Sequence, residues 1–224
     1  MSQLGSNPNP VTNANTPVSH SGKTGSPTKR GLSVPDLITI GVFSALYFAL
    51  VAVATLVSTL LLAGFGSILL PAVAALISGC VYMLMVARVG KFGGITIMGM
   101  VIGLFLFVSG HFVLSFIASI VFPLSADLIA RAGHYRSRIG LLISYVVFSY
   151  GLTGPILPLW FMKDAYVASL QARGKDAAYI DGVFANINIS TFFISMGAIL
   201  LCALIGGWIG QRLCTKHFAK AGIV

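Results

Sequence analysis

Ser109-Gly110-His111 interrupts the apolar run from Gly93 to Leu128 and brings a hydroxyl and an imidazole into one turn. A serine and a histidine work as nucleophile and base when they face each other from neighbouring elements. Two positions in a single turn are a weak basis for that, and the chain is expected not to be an enzyme. A small-molecule pocket is the better match, since it needs aromatic and apolar surface with a few converging polar groups. His111, Tyr150, Thr153, Trp160, Asn186 and Asn188 are the candidate substrate-binding residues. Thr55, Ser58 and Thr59 end the first apolar span at the same level. The competing reading is structural: Trp and Tyr also form interfacial belts, and Asn or Ser also cap helices.

A second constellation is Gly41, Ala45, Ala49 and Ala52, spaced four, four and three apart on the first apolar span. Small residues so placed make a flat stripe on which another helix can approach closely. That helix could belong to the same bundle or to a partner membrane protein. A third is Asp127 with Arg131 one turn onward, the favourable order for an acid–base pair on a helix. It reads as a structural ion pair, with a partner interface as the alternative.

Several chemistries are excluded by what is missing. All five acidic residues are aspartates, and none sits in the middle of an apolar span. An ion-coupled carrier would be expected to place ionisable groups there. Ser21-Gly22-Lys23-Thr24 resembles the end of a phosphate-binding loop, but Pro17 occupies the upstream glycine position and no strand precedes it. Cys80, Cys202 and Cys214 show no ligand spacing, so they read as packing residues and no metal or other cofactor is expected.

The elements that must position these residues are membrane helices. The 224 residues are 57% hydrophobic and only 8% charged, against about 25% charged in soluble domains. A bilayer crossing takes roughly 20 apolar residues. The predicted spans are 37–62, 68–89, 95–108, 112–130, 139–162 and 187–209. The run 93–128 would be about 54 Å long as one helix, which is why it is divided at Ser109-Gly110-His111. A short surface helix is predicted in the loop 163–182. The reading is an all-α integral membrane protein, a bundle of six transmembrane helices over residues 32–224. Residues 1–31 are a polar tail with almost nothing to bury.

Charge then orients the bundle. Of 14 Lys and Arg, all but Lys163, Arg173 and Lys175 fall on one side of this trace. By the positive-inside bias that side, with both termini, is cytoplasmic in a cell membrane. The net charge of +9 therefore concerns the lipid bilayer rather than nucleic acid, which would require a clustered basic patch.

Several segments carry a family resemblance: Gly41-Val-Phe-Ser-Ala-Leu-Tyr-Phe, Thr96-Ile-Met-Gly, Gly110-His111 and Ala126-Asp-Leu-Ile. Ser144-Tyr-Val-Val-Phe-Ser, Gly154-Pro-Ile-Leu-Pro and the closing Lys216-His-Phe-Ala-Lys-Ala-Gly-Ile-Val extend it. The chain resembles the MptD-type, or Trep_Strep, family, which is taken to supply substrate-binding S components of energy-coupling factor (ECF) transporters. The resemblance implies a six-helix bundle that captures a vitamin-like or other small molecule at its extracellular face. It implies a membrane T subunit and two cytosolic ATPase subunits as partners. It also implies that Ala45 and Ala49 fill the family's helix 1 contact to the T subunit. Nickel and cobalt members begin Met-His, whereas this chain begins Met1-Ser2, so metal cargo is not expected. The alternative function is a stand-alone or ion-coupled carrier of a small solute.

Overall fold

The computed structural model describes residues 31–62 and 65–218, in which every regular element is helical. The elements in chain order are α1 (Val34–Leu61), α2 (Gly66–Ile77), α3 (Gly79–Val89), α4 (Gly94–Val108) and α5 (Val113–Ala132). They continue with α6 (Arg138–Ser149), a 3-10 turn (Tyr150–Thr153), α7 (Pro158–Phe161), α8 (Lys163–Ala172), α9 (Ala177–Phe184) and α10 (Ile189–Leu213). The polar tail predicted over residues 1–31 lies, apart from Gly31, outside the described residues. Among the described residues three helices are long and apolar enough to cross a membrane: Val34–Leu61, Val113–Ala132 and α10 with its extension to Lys216. The pair α2 and α3, bent by 50°, counts as a fourth if taken as one span. Gly94–Val108 and Arg138–Thr153 are apolar but shorter.

Helix α1 begins as its sequence dictates. The Ser33 hydroxyl accepts from the Asp36 amide, the Asp36 carboxylate accepts from the Ser33 amide at 2.7 Å, and Pro35 fits the first turn. Its buried face is Ile40, Ser44, Tyr47, Val51, Ala54 and Ser58, a repeat of four and three that matches helical period. The centre of the bundle is aromatic. Tyr82 stacks near Tyr145 and Phe148, at 4.9 and 5.0 Å between ring centroids, and Tyr47 meets Phe148 edge-on at 5.4 Å. The buried hydroxyls are chained: Tyr82 donates to Ser144, and Ser144 donates to the Ala126 carbonyl, each at 2.6 Å.

The span predicted over 68–89 is broken at Ser78, and the reason lies on α10. The backbone of Gly79 lies directly against Gly206 and Gly210, while Gly206 lies against the Ala75 and Leu76 carbonyls. The Tyr145 hydroxyl donates to the Ala75 carbonyl at 2.6 Å, the acceptor that a continuous helix would use for Gly79. A side chain that takes over a ladder carbonyl is an ordinary cause of a kink. Tyr145→Phe leaves that buried carbonyl unpaired and is expected to cost about 1–3 kcal/mol. Thermal unfolding of the detergent-purified variant checks it; an unchanged midpoint would mean that the glycine contact alone sets the bend.

The span predicted over 139–162 is interrupted as well. It tightens into the 3-10 turn after Ser149, and only one further turn, α7, follows. Pro155 and Pro158 lack the N–H that would continue the ladder, and Gly154 is pressed onto the Ser115 backbone. The loop 163–182 holds two short helices instead of one. Gly174, at φ 72°, makes the turn between them, and Asp176 caps α9 by accepting from the Tyr179 amide at 2.8 Å.

The helix ends sort into two groups. At one end, Asp36 and Lys91 form an ion pair at 2.6 Å. There the Gln211 amide donates to the Arg138 carbonyl at 2.6 Å, tying α10 to the start of α6. The start of α1, the α3–α4 loop and the α5–α6 loop therefore lie together, and with them Arg88, Arg131 and Arg136. Lys23, Lys29, Arg30 and Lys220 lie outside the described residues.

Candidate functional site

The opposite end holds a cavity of about 620 Å³, bounded by α1, α2, α4, the segment 152–159 and the α8–α9 pair. That volume suits a small organic ligand, for which pockets of roughly 300–1,000 Å³ are usual. Its apolar walls come from Phe48, Val51, Phe105, Leu106, Leu152 and Ile156, with the rings of Phe48 and Phe105 tilted at 56° and 4.0 Å between centroids. The polar groups are few: Thr55, Ser67, Ser109, His111, Tyr166 and Tyr179. His111 Nδ1 lies 3.2 Å from the Leu106 carbonyl. A carbonyl only accepts, so Nδ1 is the donor in this bond. Burial, and next the neighbouring Tyr179, push the Tyr166 phenol above its ordinary value, so it stays a neutral hydroxyl at physiological pH.

Of the six candidate binding residues, His111 lines this cavity and the other five do not. The Tyr150 hydroxyl donates to the Met196 carbonyl at 2.9 Å. The buried Thr153 hydroxyl donates to the Tyr150 carbonyl at 2.6 Å. Trp160 Nε1 donates to the Asn188 carbonyl at 2.9 Å. Asn188 caps α10, accepting from the Thr191 amide at 2.9 Å, while the Asn186 carbonyl accepts from the Thr191 hydroxyl at 2.8 Å. Trp160 thus ties α7, whose Leu159 lines the cavity, to the start of α10, and Tyr150 ties the 3-10 turn to α10. The residues that sequence reading missed are Phe48, Ser67, Phe105, Tyr166 and Tyr179. Two tyrosines within an otherwise polar connecting segment were the available signal for the last pair. For Phe48 and Phe105 there was none, because each is one aromatic among many on an apolar helix.

The stripe Gly41, Ala45, Ala49 and Ala52 lies on the outside of the bundle, all four residues exposed. A Cβ added at Gly41 would meet nothing within 4 Å. The intramolecular use of this stripe is thereby ruled out within the described residues. Identically spaced pairs elsewhere are used internally: Gly99 and Gly103 of α4 lie against Pro123 and Ser119 of α5, and Gly206 and Gly210 against α2 and α3. Ala52 has a second position, in the cavity wall.

Residues 34–220 match the protein family Trep_Strep, described as a hypothetical bacterial integral membrane protein. The chain belongs to that family. No curated protein and no solved structure matches it. An integral membrane protein of bacterial type is therefore the setting in which its cavity and stripe have to be understood.

The Trep_Strep segment Ala126-Asp-Leu-Ile, expected to hold an ion pair between Asp127 and Arg131, is used differently. Asp127 is fully buried and accepts from the Gly93 amide (2.8 Å), the Thr96 amide (3.1 Å), the Thr96 hydroxyl (2.9 Å) and the Tyr135 hydroxyl (2.7 Å). Arg131 instead stacks over Phe92 at 5.1 Å. Position 93 precedes α4 and is a glycine at φ 97°, with no side chain to cap the helix. Asp127 supplies the missing cap from α5, and its charge also suits the positive end of α4. Burial and the Asp127 carboxylate together push the Tyr135 phenol above its ordinary value, which keeps it a donor.

Proposed function

We propose that this protein is the substrate-binding S component of an ECF-type importer in the cell membrane. It captures a small molecule in the cavity at its outer end and docks on a T subunit coupled to two cytosolic ATPases. The observation that carries this reading is the outward stripe on α1. Close-approach surface in a membrane helix is ordinarily occupied by another helix, and among the described residues no helix covers it. The six-crossing arrangement with both termini cytoplasmic is part of the proposal. Its support is that α2 with α3, and α6 with its 3-10 extension and α7, each run as one leg between the two ends. The clustering of Arg88, Lys91, Arg131, Arg136 and Arg138 at one end agrees with the positive-inside bias. On this reading the chain is a binding protein, not an enzyme, and it borrows its energy from its partners.

The test is association. Ala45→Leu and Ala49→Leu, singly and together, are expected to abolish co-purification with a T subunit and paired ATPases. Because both side chains point outward, stability read from thermal unfolding should change by no more than an ordinary surface substitution does, about 0.5 kcal/mol. Normal complex formation in the double variant would remove the docking stripe from the argument. ATP-independent accumulation of solute by proteoliposomes holding only this chain would favour the stand-alone carrier instead.

A further inference from the structure

Among the described residues the cavity wall contains aromatic rings, aliphatic side chains, hydroxyls and one imidazole, and not one Lys, Arg, Asp or Glu. Some of its polar groups are already engaged. Thr55 donates to the Val51 carbonyl at 2.9 Å, and His111 Nδ1 to the Leu106 carbonyl at 3.2 Å. A charged solute entering such a space sheds hydration that nothing there replaces. The charges nearest in sequence face elsewhere. Lys163, Lys175 and Asp181 border a separate groove along α8 and α9. Lys163 and Lys175 are held over the rings of Phe184 and Tyr179, at 5.1 and 4.8 Å. Phe48, Phe105, Tyr166 and Tyr179 offer ring surface from three sides, which favours a planar or ring-bearing guest. The wall's hydrogen-bonding capacity lies in the hydroxyls of Ser67, Ser109, Tyr166 and Tyr179 and the second ring nitrogen of His111.

We infer that the cargo is an uncharged, largely apolar, ring-bearing molecule with only a few hydrogen-bonding groups, and not a phosphate ester, carboxylate, sulfonate or metal ion. This rests on reading the cavity as the cargo site, as the proposed function does.

The test uses two probes that share one ring system and differ in one charge: N-phenylnaphthylamine, which is neutral, and anilinonaphthalene sulfonate. Each is dialysed to equilibrium against the detergent-purified full chain, with protein-free micelles as the blank. The neutral probe is expected to bind saturably at one site, with an affinity about tenfold or more above that of the sulfonate. Thr55→Trp, which fills the cavity from a position on α1 that is otherwise exposed, is expected to remove that binding. Thr55→Lys places a cation in the wall and is expected to reverse the preference at one saturable site, whereas a misfolded chain would take up both probes without saturating. Equal or tighter binding of the sulfonate by the unaltered chain overturns the inference. So does neutral binding that survives Thr55→Trp, or the absence of any saturable neutral binding. Association with a T subunit is scored separately: its loss would sink the importer reading and leave the cargo class standing, and the reverse holds equally.

Discussion

Gly206→Leu is expected to lower stability by about 3 kcal/mol or more and to leave much of the protein aggregated in detergent extracts. Any Cβ at this position would overlap the Ala75 and Leu76 carbonyls, which are backbone and have nowhere to go. The contact cannot relax by a rotamer change, because a flexible side chain is present on neither side. Gly210, set against the Gly79 backbone from one turn away, doubles the constraint. Separating α10 from the α2–α3 bend would also pull the Ala75 carbonyl from Tyr145. The control is Gly41→Leu, the same chemistry on the outer stripe, which is expected to be close to neutral for the isolated protein. Size-exclusion profiles and thermal unfolding of the two variants make the comparison, and similar losses in both would refute the assignment of inside and outside glycines.

Asp127→Ala should be the most damaging substitution of a charged residue. It strips the cap from α4 and orphans the Gly93 and Thr96 amides and the Tyr135 hydroxyl together. Losing a cap costs about 0.5–2 kcal/mol, and each buried donor left unpaired adds about 1–3 kcal/mol. A net loss of about 3–5 kcal/mol is expected, below the simple sum because the end of α4 can fray toward water. Asp127→Asn keeps one acceptor and should fall between. Arg131→Ala should be mild, since Arg131 stacks on Phe92 and forms no ion pair with Asp127. Thermal unfolding ranks the three, and amide exchange across 93–97 locates the damage. If Arg131→Ala matched Asp127→Ala, the carboxylate would be acting through a charge pair after all.

The sequence exposed the class of this molecule more readily than its joints. Long apolar runs, their separating charges and the Ser33–Asp36 cap all depend on local composition, so α1, α4, α5 and α10 were found close to their true limits. The break at Ser78 depends on α10, remote in sequence, and the one after Ser149 joins the local Pro155 and Pro158 to a remote contact of Gly154 with α5. Spacing identified Gly41, Ala45 and Ala49 as a close-approach surface but could not say which side of α1 faced inward. Tyr47 and Val51 settle that only once their burial is known. The pairing of Asp127 followed the usual helical rule toward Arg131, whereas an uncapped glycine in a neighbouring loop exerted the stronger pull. At the cavity, His111 was recognisable because a polar side chain at an apolar turn is conspicuous. Tyr150, Thr153, Trp160, Asn186 and Asn188 were selected on the same ground, and polar groups beside a cavity are often spent holding its frame.

The ties between helix ends are distributed unequally. Asp36 with Lys91, Asp127 with the α4 amides, and Gln211 with Arg138 clamp one pole of the molecule, whereas α8 rests on α7 and α9 meets α8 through Phe184. Regions with few buried contacts open at the least free energy, so breathing concentrates at the far pole. The bundle thus has a stiff floor and a loose lip, and on the proposed reading a guest enters without disturbing the joints below.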